Sequence, residues 1–221
     1  MIFRNLFVPK AKRAVESPNF ERGDIEGFWR WFKANADALA ALNNEADRDL
    51  KLVDLLFDAV VRYSEGLGIL VGVDENGVNE LILSADGVVS KIPAVLAFLR
   101  DAPAIPGWKF TPLKQRSPGT ATGFGGLKRY PEQVFYIGEV WPDGDKIDIS
   151  VALPHIPDVN ETDQRFLTYL LLDNLLGEYD VATAIGGIEV RMLSPGEVAS
   201  GRPLTELVNE VDNLPGRARI Q

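Results

Sequence analysis

Three observations predict an α+β fold for this 221-residue chain. Apolar residues recur at helical spacing between about residues 24 and 64, and the period then changes to strand alternation around Asn76-Gly77. After that, the order hairpin, helix, strand runs through the chain twice. The two ββαβ units, about 67–114 and 133–193, are expected to form an antiparallel or mixed sheet of about six strands. An N-terminal helix pair packs against that sheet. Residues 1–23 read as a separate arm and 24–221 as a single domain, with the two units as a pseudo-repeat of topology.

Asp24 can cap the first helix, on which Ile25, Phe28, Trp29, Phe32, Ala36 and Leu39 share one face. Trp31 falls beside that stripe, where it packs into the core or else covers a neighbouring element or an interface. Asn43-Asn44 suits a turn. A second helix is predicted from about Asp47 to Ser64, with Leu50, Val53, Phe57 and Val60 inward and Gly66 as its stop. Leu67–Val73 and Val78–Ser84 follow as strands around Asp74-Glu75-Asn76-Gly77, a strong hairpin signal. Ser90 begins a helix reaching about Ala102, ended by Pro103 and Pro106-Gly107, and Trp108–Lys114 returns to strand.

The second unit repeats the order. Gln133–Trp141 and Lys146–Leu153 are strands around Pro142-Asp143-Gly144-Asp145. In the latter, Ile147, Ile149, Val151 and Leu153 alternate with Lys146, Asp148, Ser150 and Ala152. A helix starting at Asn160 or Thr162 carries Phe166, Leu167, Leu170, Leu171 and Leu175 and stops at Gly177. Val181–Leu193 is expected to be extended, and Pro203 to start a short helix through Leu204, Leu207, Val208 and Val211.

The chain holds 23 Lys+Arg against 32 Asp+Glu, for a net charge of −9, with no cysteine and one histidine. Disulfide scaffolds, Cys-ligated zinc, iron–sulfur clusters and thiol catalysis are thereby excluded, as are multi-histidine metal sites. The negative balance argues against nucleic acid as a partner. No apolar run approaches the ~20 residues that span a bilayer, and residues 1–13 lack the order of a secretory signal, so the expected location is cytoplasmic. Arg4, Lys10, Lys12 and Arg13 beside Phe3, Leu6 and Phe7 suit either a membrane surface or packing onto the chain's own domain.

Charge is segregated along the sequence. From 100 to 131, Arg100, Lys109, Lys114, Arg116, Lys128 and Arg129 face Asp101 alone, whereas 132–180 is rich in acids and holds only Lys146 and Arg165 as bases. Within the basic segment, Ser117-Pro118-Gly119-Thr120-Ala121-Thr122-Gly123-Phe124-Gly125-Gly126 offers glycine-freed amides that could cradle a phosphate or carboxylate, with Phe124 and Tyr130 to stack on a ring. It lacks the Gly-Lys-Ser/Thr ending of a P-loop and is equally a connection with its charges in water. In the acidic segment, Asp173, Glu178 and Asp180 interrupt a leucine-rich stretch. Such oxygen ligands suit Mg²⁺ or Ca²⁺, and a carboxylate against apolar walls can serve as a base. The alternative is a set of solvent-facing and turn residues. His155, in Pro154-His155-Ile156-Pro157, has no Gly-x-Ser-x-Gly serine to accompany it and reads as an exposed loop residue.

Four stretches together resemble a family of uncharacterised bacterial proteins: Phe28-Trp29-Arg30-Trp31-Phe32; Ile82-Leu83-Ser84-Ala85-Asp86-Gly87; Asp101-Ala102-Pro103 with Pro106-Gly107-Trp108-Lys109-Phe110; and Asp173-Asn174-Leu175-Leu176-Gly177-Glu178. The resemblance implies no activity or cofactor, but it groups Trp108, Asp86, Asp173 and Glu178 in one recurrent pattern. The expectation is a non-catalytic interaction or small-ligand-binding protein with Trp108, Lys114, Arg116, Asp173 and Glu178 as binding residues and no metal. A basic protein would meet the acidic face around Asp158–Asp180, or a small anionic ligand the basic loop. The alternative is a metal-assisted hydrolase or transferase in which Lys114 and Arg116 hold an anion while Asp173, Glu178 and Asp180 hold metal or act as base.

Overall fold

The computed structural model describes residues 15, 17–43, 50–119, 121–124, 127–154, 156, 159–194, 196–197 and 200–215. The basic arm over 1–13, His155 and Asp158 lie outside them. The chain forms two compact units: unit 1 takes Met1–Leu83 and Ala94–Thr111, and unit 2 takes Ser84–Pro93 and Pro112–Gln221.

Unit 1 is built on α1 (Ile25–Leu39), α2 (Leu50–Tyr63), β1 (Gly68–Val73), β2 (Asn79–Ser84), most of α3 (Ile92–Arg100) and β3 (Trp108–Pro112), with the strands in the order β1-β2-β3. The Asp24 carboxylate accepts from the Gly27 amide at 2.8 Å and starts α1. The predicted stripe of Phe28, Trp29, Phe32, Ala36 and Leu39 is buried, and Trp31 with it. Phe98 of α3 meets Phe28 at 4.7 Å, Phe110 meets Trp29 at 4.7 Å, and Trp108 meets Phe32 at 4.9 Å. Each buried ring is worth about 1.5–3 kcal/mol, and each edge-on pair adds about 0.5–1.5 kcal/mol. In the β1–β2 turn, the Asp74 carboxylate accepts from the amides of Asn76 and Val78, both at 2.9 Å, and Gly77 takes φ +76°.

Unit 2 contains β4 (Thr122–Phe124), β5 (Leu127–Arg129), β6 (Phe135–Val140), β7 (Ile147–Pro154), α4 (Glu161–Leu176), α5 (Glu178–Ala184), β8 (Ile185–Leu193), β9 (Arg202–Pro203) and α6 (Leu207–Asp212). A four-stranded mixed sheet runs β8-β7-β6-β9: β6 pairs antiparallel with β7 and β9, and β7 pairs parallel with β8. On one face Ile147, Ile149, Val151 and Leu153 of β7 join Leu171, Leu172, Leu175 and Leu176 of α4 in the core.

The α+β class holds, with three differences in detail. Among the described residues the strands form separate sheets of three, two and four instead of one sheet of about six, with β4 and β5 paired only to each other. The extended stretch expected at Val181–Leu193 begins only at Ile185, after α5. Phe57, expected inward on α2, is 45% exposed, and Leu52, Leu56 and Ala59 are buried with Val60 in its place. Among the described residues no helix is long and apolar enough to cross a membrane.

Candidate functional site

Four of the five predicted binding residues come together in unit 2, around the break between α4 and α5. Gly177 makes that break. Its φ of +80° and ψ of +148° are open to glycine and strained for other residues, and a Cβ there would lie 3.2 Å from Arg116 Cγ and 3.3 Å from the Arg116 amide nitrogen. Across the break runs the segment after β3. The Glu178 amide donates to the Lys114 carbonyl at 2.9 Å, and the Ser117 amide donates to the Asn174 carbonyl at 2.6 Å. The acids after Gly177 therefore do not trail a helix C-terminus. Glu178 and Asp180 sit in the first turn of α5, where the helix dipole favours them.

Glu178 is only 1% exposed. Its Oε1 accepts from the Ser84 hydroxyl at 2.9 Å, the Ala85 amide at 2.7 Å and the Gly87 amide at 3.4 Å, while Oε2 accepts from the Ser84 hydroxyl at 2.9 Å and the Lys114 amide at 3.1 Å. Among the described residues, two non-glycine residues have positive φ, Asp86 at +51° and Leu113 at +59°, and each adjoins an amide that Glu178 binds. The carboxylate holds two strained turns in place, offsetting backbone costs of about 1–3 kcal/mol each.

Beside it, Lys114 Nζ donates to Asp173 Oδ2 at 3.0 Å and lies 3.9 Å from Asp86 Oδ1. Arg116 donates through Nε to the Leu176 carbonyl at 2.7 Å, through Nη1 and Nη2 to Asp212 at 3.1 and 2.8 Å, and through Nη2 also to Asp180. Cations of the basic segment are thus matched to carboxylates of the acidic one. Signs that are apart in the sequence meet in space.

Burial pushes the Asp173 carboxyl above its usual range, against the pull of the Lys114 ammonium. Lys114 is desolvated too, which alone would lower it, but Asp173, Glu178 and Asp86 hold it above its ordinary value. A raised carboxyl pKa means the native state binds the proton more tightly than the unfolded chain, so ionised Asp173 costs stability above that pKa and the cost vanishes on acidification. Lys114 limits this cost. Lys114→Met is therefore expected to destabilise by about 2 kcal/mol at neutral pH, as the loss of one partner from a largely buried pair. The deficit should shrink at mildly acidic pH as Asp173 takes up its proton; urea unfolding at the two pH values measures both.

Trp108, the fifth predicted residue, belongs to unit 1. Its ring stacks on Phe110 and its indole N–H donates to the Ala36 carbonyl at 3.2 Å, so it is a core residue. The motifs pair accordingly: Phe28–Phe32 with Trp108–Phe110 in one unit, Ser84–Gly87 with Asp173–Glu178 in the other. Both pairings are packing and hydrogen-bonding devices, which leaves these residues committed to the fold. Among the described residues no group of three or more acids or histidines is placed to hold a metal ion, and Glu178 has its oxygens occupied by amides and a hydroxyl.

Carboxylates without a cation lie elsewhere, on the outer face of the four-stranded sheet. There Glu139 stands directly opposite Asp148, Ile137 opposite Ser150, and Ser150 opposite Glu189. These residues, with Gly187 and Ile188, line a shallow groove of about 450 Å³. Among the described residues none of the three acids makes an ion pair, and like charges directly opposite one another across strands are mutually destabilising. Gly186 makes room for the arrangement, since a Cβ there would run into both Asp148 and the Trp141 ring. Alternation along β7 marks Asp148 and Ser150 as outward, but the sequence contains no local signal that brings Glu139 and Glu189 alongside. No family model, curated protein or solved structure matches the chain.

Proposed function

We propose that the chain is a non-catalytic binding protein whose unit 2 sheet docks a basic polypeptide on its outer face. The observation that carries this reading is the uncompensated Glu139–Asp148 pair, joined by Glu189 around a groove flanked by Ile137, which is 55% exposed. A cationic side chain between the carboxylates would relieve their repulsion, and an apolar one would cover Ile137. The docking surface moves from Asp158–Asp180 to the sheet, because Asp173 and Asp180 are paired with Lys114 and Arg116 and Glu178 is buried.

The test is titration with an alternating lysine–leucine peptide at several salt concentrations. Binding should weaken as salt rises, and the triple variant E139Q/D148N/E189Q should lose about tenfold or more in affinity, the equivalent of about 1.4 kcal/mol. Free of repulsion, the same variant should be more stable than the parent by about 0.2–1 kcal/mol. Affinity indifferent to both salt and the triple substitution would refute the reading.

A further inference from the structure

Arg129, at the end of β5, is only 3% exposed. A guanidinium carries five N–H donors and is never neutral in a protein. Here Nη2 donates to the Pro154 carbonyl at 3.0 Å, Nε is buried with no acceptor, and among the described residues no carboxylate pairs with the group. Burial weakens its hold on the proton, and no neighbouring acid opposes that. Arg116, earlier in the same basic segment, has two carboxylates and a carbonyl. Buried arginines are rarely left without a partner, since an unneutralised internal charge costs several kcal/mol.

The β4–β5 register sets Thr122 directly opposite Arg129, so the two side chains leave the same face of the hairpin. Thr122 is buried as well, and its Oγ1 accepts from Asn174 Nδ2 at 2.8 Å. The hydroxyl hydrogen is left to donate. A forked cation and a hydroxyl donor side by side, desolvated and without a carboxylate, match the oxygens of a phosphate or carboxylate group.

We infer that Arg129 and Thr122 form a receptor for a small oxyanion, which supplies the missing negative charge. This is independent of the acidic sheet face, where a cation is the complement. Because both residues are closed to solvent, association requires local opening and is slow beside diffusion.

The experiment uses the full chain and follows the melting temperature and the Arg129 Nε–H resonance against inorganic phosphate, acetate and chloride at matched ionic strength. Phosphate or acetate should raise the melting temperature with concentration and shift the resonance, and chloride should do neither. Whichever oxyanion acts identifies the ligand as a phosphate or a carboxylate. Arg129→Met should abolish the response, and Thr122→Val should weaken binding about tenfold. General stabilisation by phosphate through exclusion from the surface would persist in Arg129→Met and so is distinguished. Should Arg129→Met not fold, Arg129→Lys keeps the charge without the fork and should weaken the response in the same direction. A parent protein indifferent to both oxyanions, a resonance that does not move, or an equal response in the variants would overturn the assignment.

Discussion

Replacing Glu178 by glutamine is expected to cost about 3 kcal/mol or more, among the largest losses available from a single isosteric change in unit 2. Both carboxylate oxygens face donors: the Ser84 hydroxyl with the Ala85 and Gly87 amides on one, the Ser84 hydroxyl with the Lys114 amide on the other. An amide keeps one acceptor and turns an NH₂ toward whichever set it abandons. Donor would meet donor in a site closed to water. The strained backbone at Asp86 and Leu113 would lose its anchor at the same time. Urea unfolding of Glu178→Gln beside Glu189→Gln makes the comparison, since Glu189 is exposed and unpaired among the described residues. The first should unfold far earlier and the second within about 0.5 kcal/mol of the parent. Equal stabilities would show that Glu178 holds nothing together.

Gly177→Ala should approach that loss. The backbone there costs an ordinary residue about 1–3 kcal/mol, and the new methyl would press on the Arg116 side chain and on the backbone between Lys114 and Arg116 at 3.2–3.4 Å. The segment cannot retreat easily, because it is tied to Glu178 and Asn174 through hydrogen bonds on either side of the break. About 3 kcal/mol in total is expected, read as a fall in melting temperature on the order of 10 °C. Gly72→Ala is the control: it lies in β1 at an ordinary φ with nothing within 4 Å of the added carbon, and should leave stability unchanged or slightly raised.

Elements with a sustained period were legible in the sequence. Alternation placed Ile147, Ile149, Val151 and Leu153 on the inner face of β7, and the aromatic stripe placed α1. The seven-residue α5 was not, because Val181, Ala182, Thr183 and Ala184 read as strand when taken locally. What makes them helical is the reset at Gly177 and two acids in the first turn. The candidate site was legible only as an inventory of charged residues. Lys114 reaches Asp173 across 59 positions and Arg116 reaches Asp212 across 96, separations at which composition carries no pairing information. Segregation of charge along the chain therefore suggested surfaces where the fold makes internal ion pairs. Trp108 illustrates the converse: a tryptophan flanked by glycine and lysine is as consistent with a binding wall as with a core, and only the approach of Phe32 and the Ala36 carbonyl decides between them.

The turn at Ser84–Gly87 and the glutamate that satisfies it are separated by some 90 positions of chain. During synthesis the turn emerges long before its acceptor exists, and the whole of the first unit can be complete while the turn's amides are still bonded to water. Maturation of this protein consequently has a late step set by translation itself: a nascent chain stopped after Thr111 but before residue 178 should carry a folded aromatic core and an unlocked turn, open to protease until the final fifth of the polypeptide arrives.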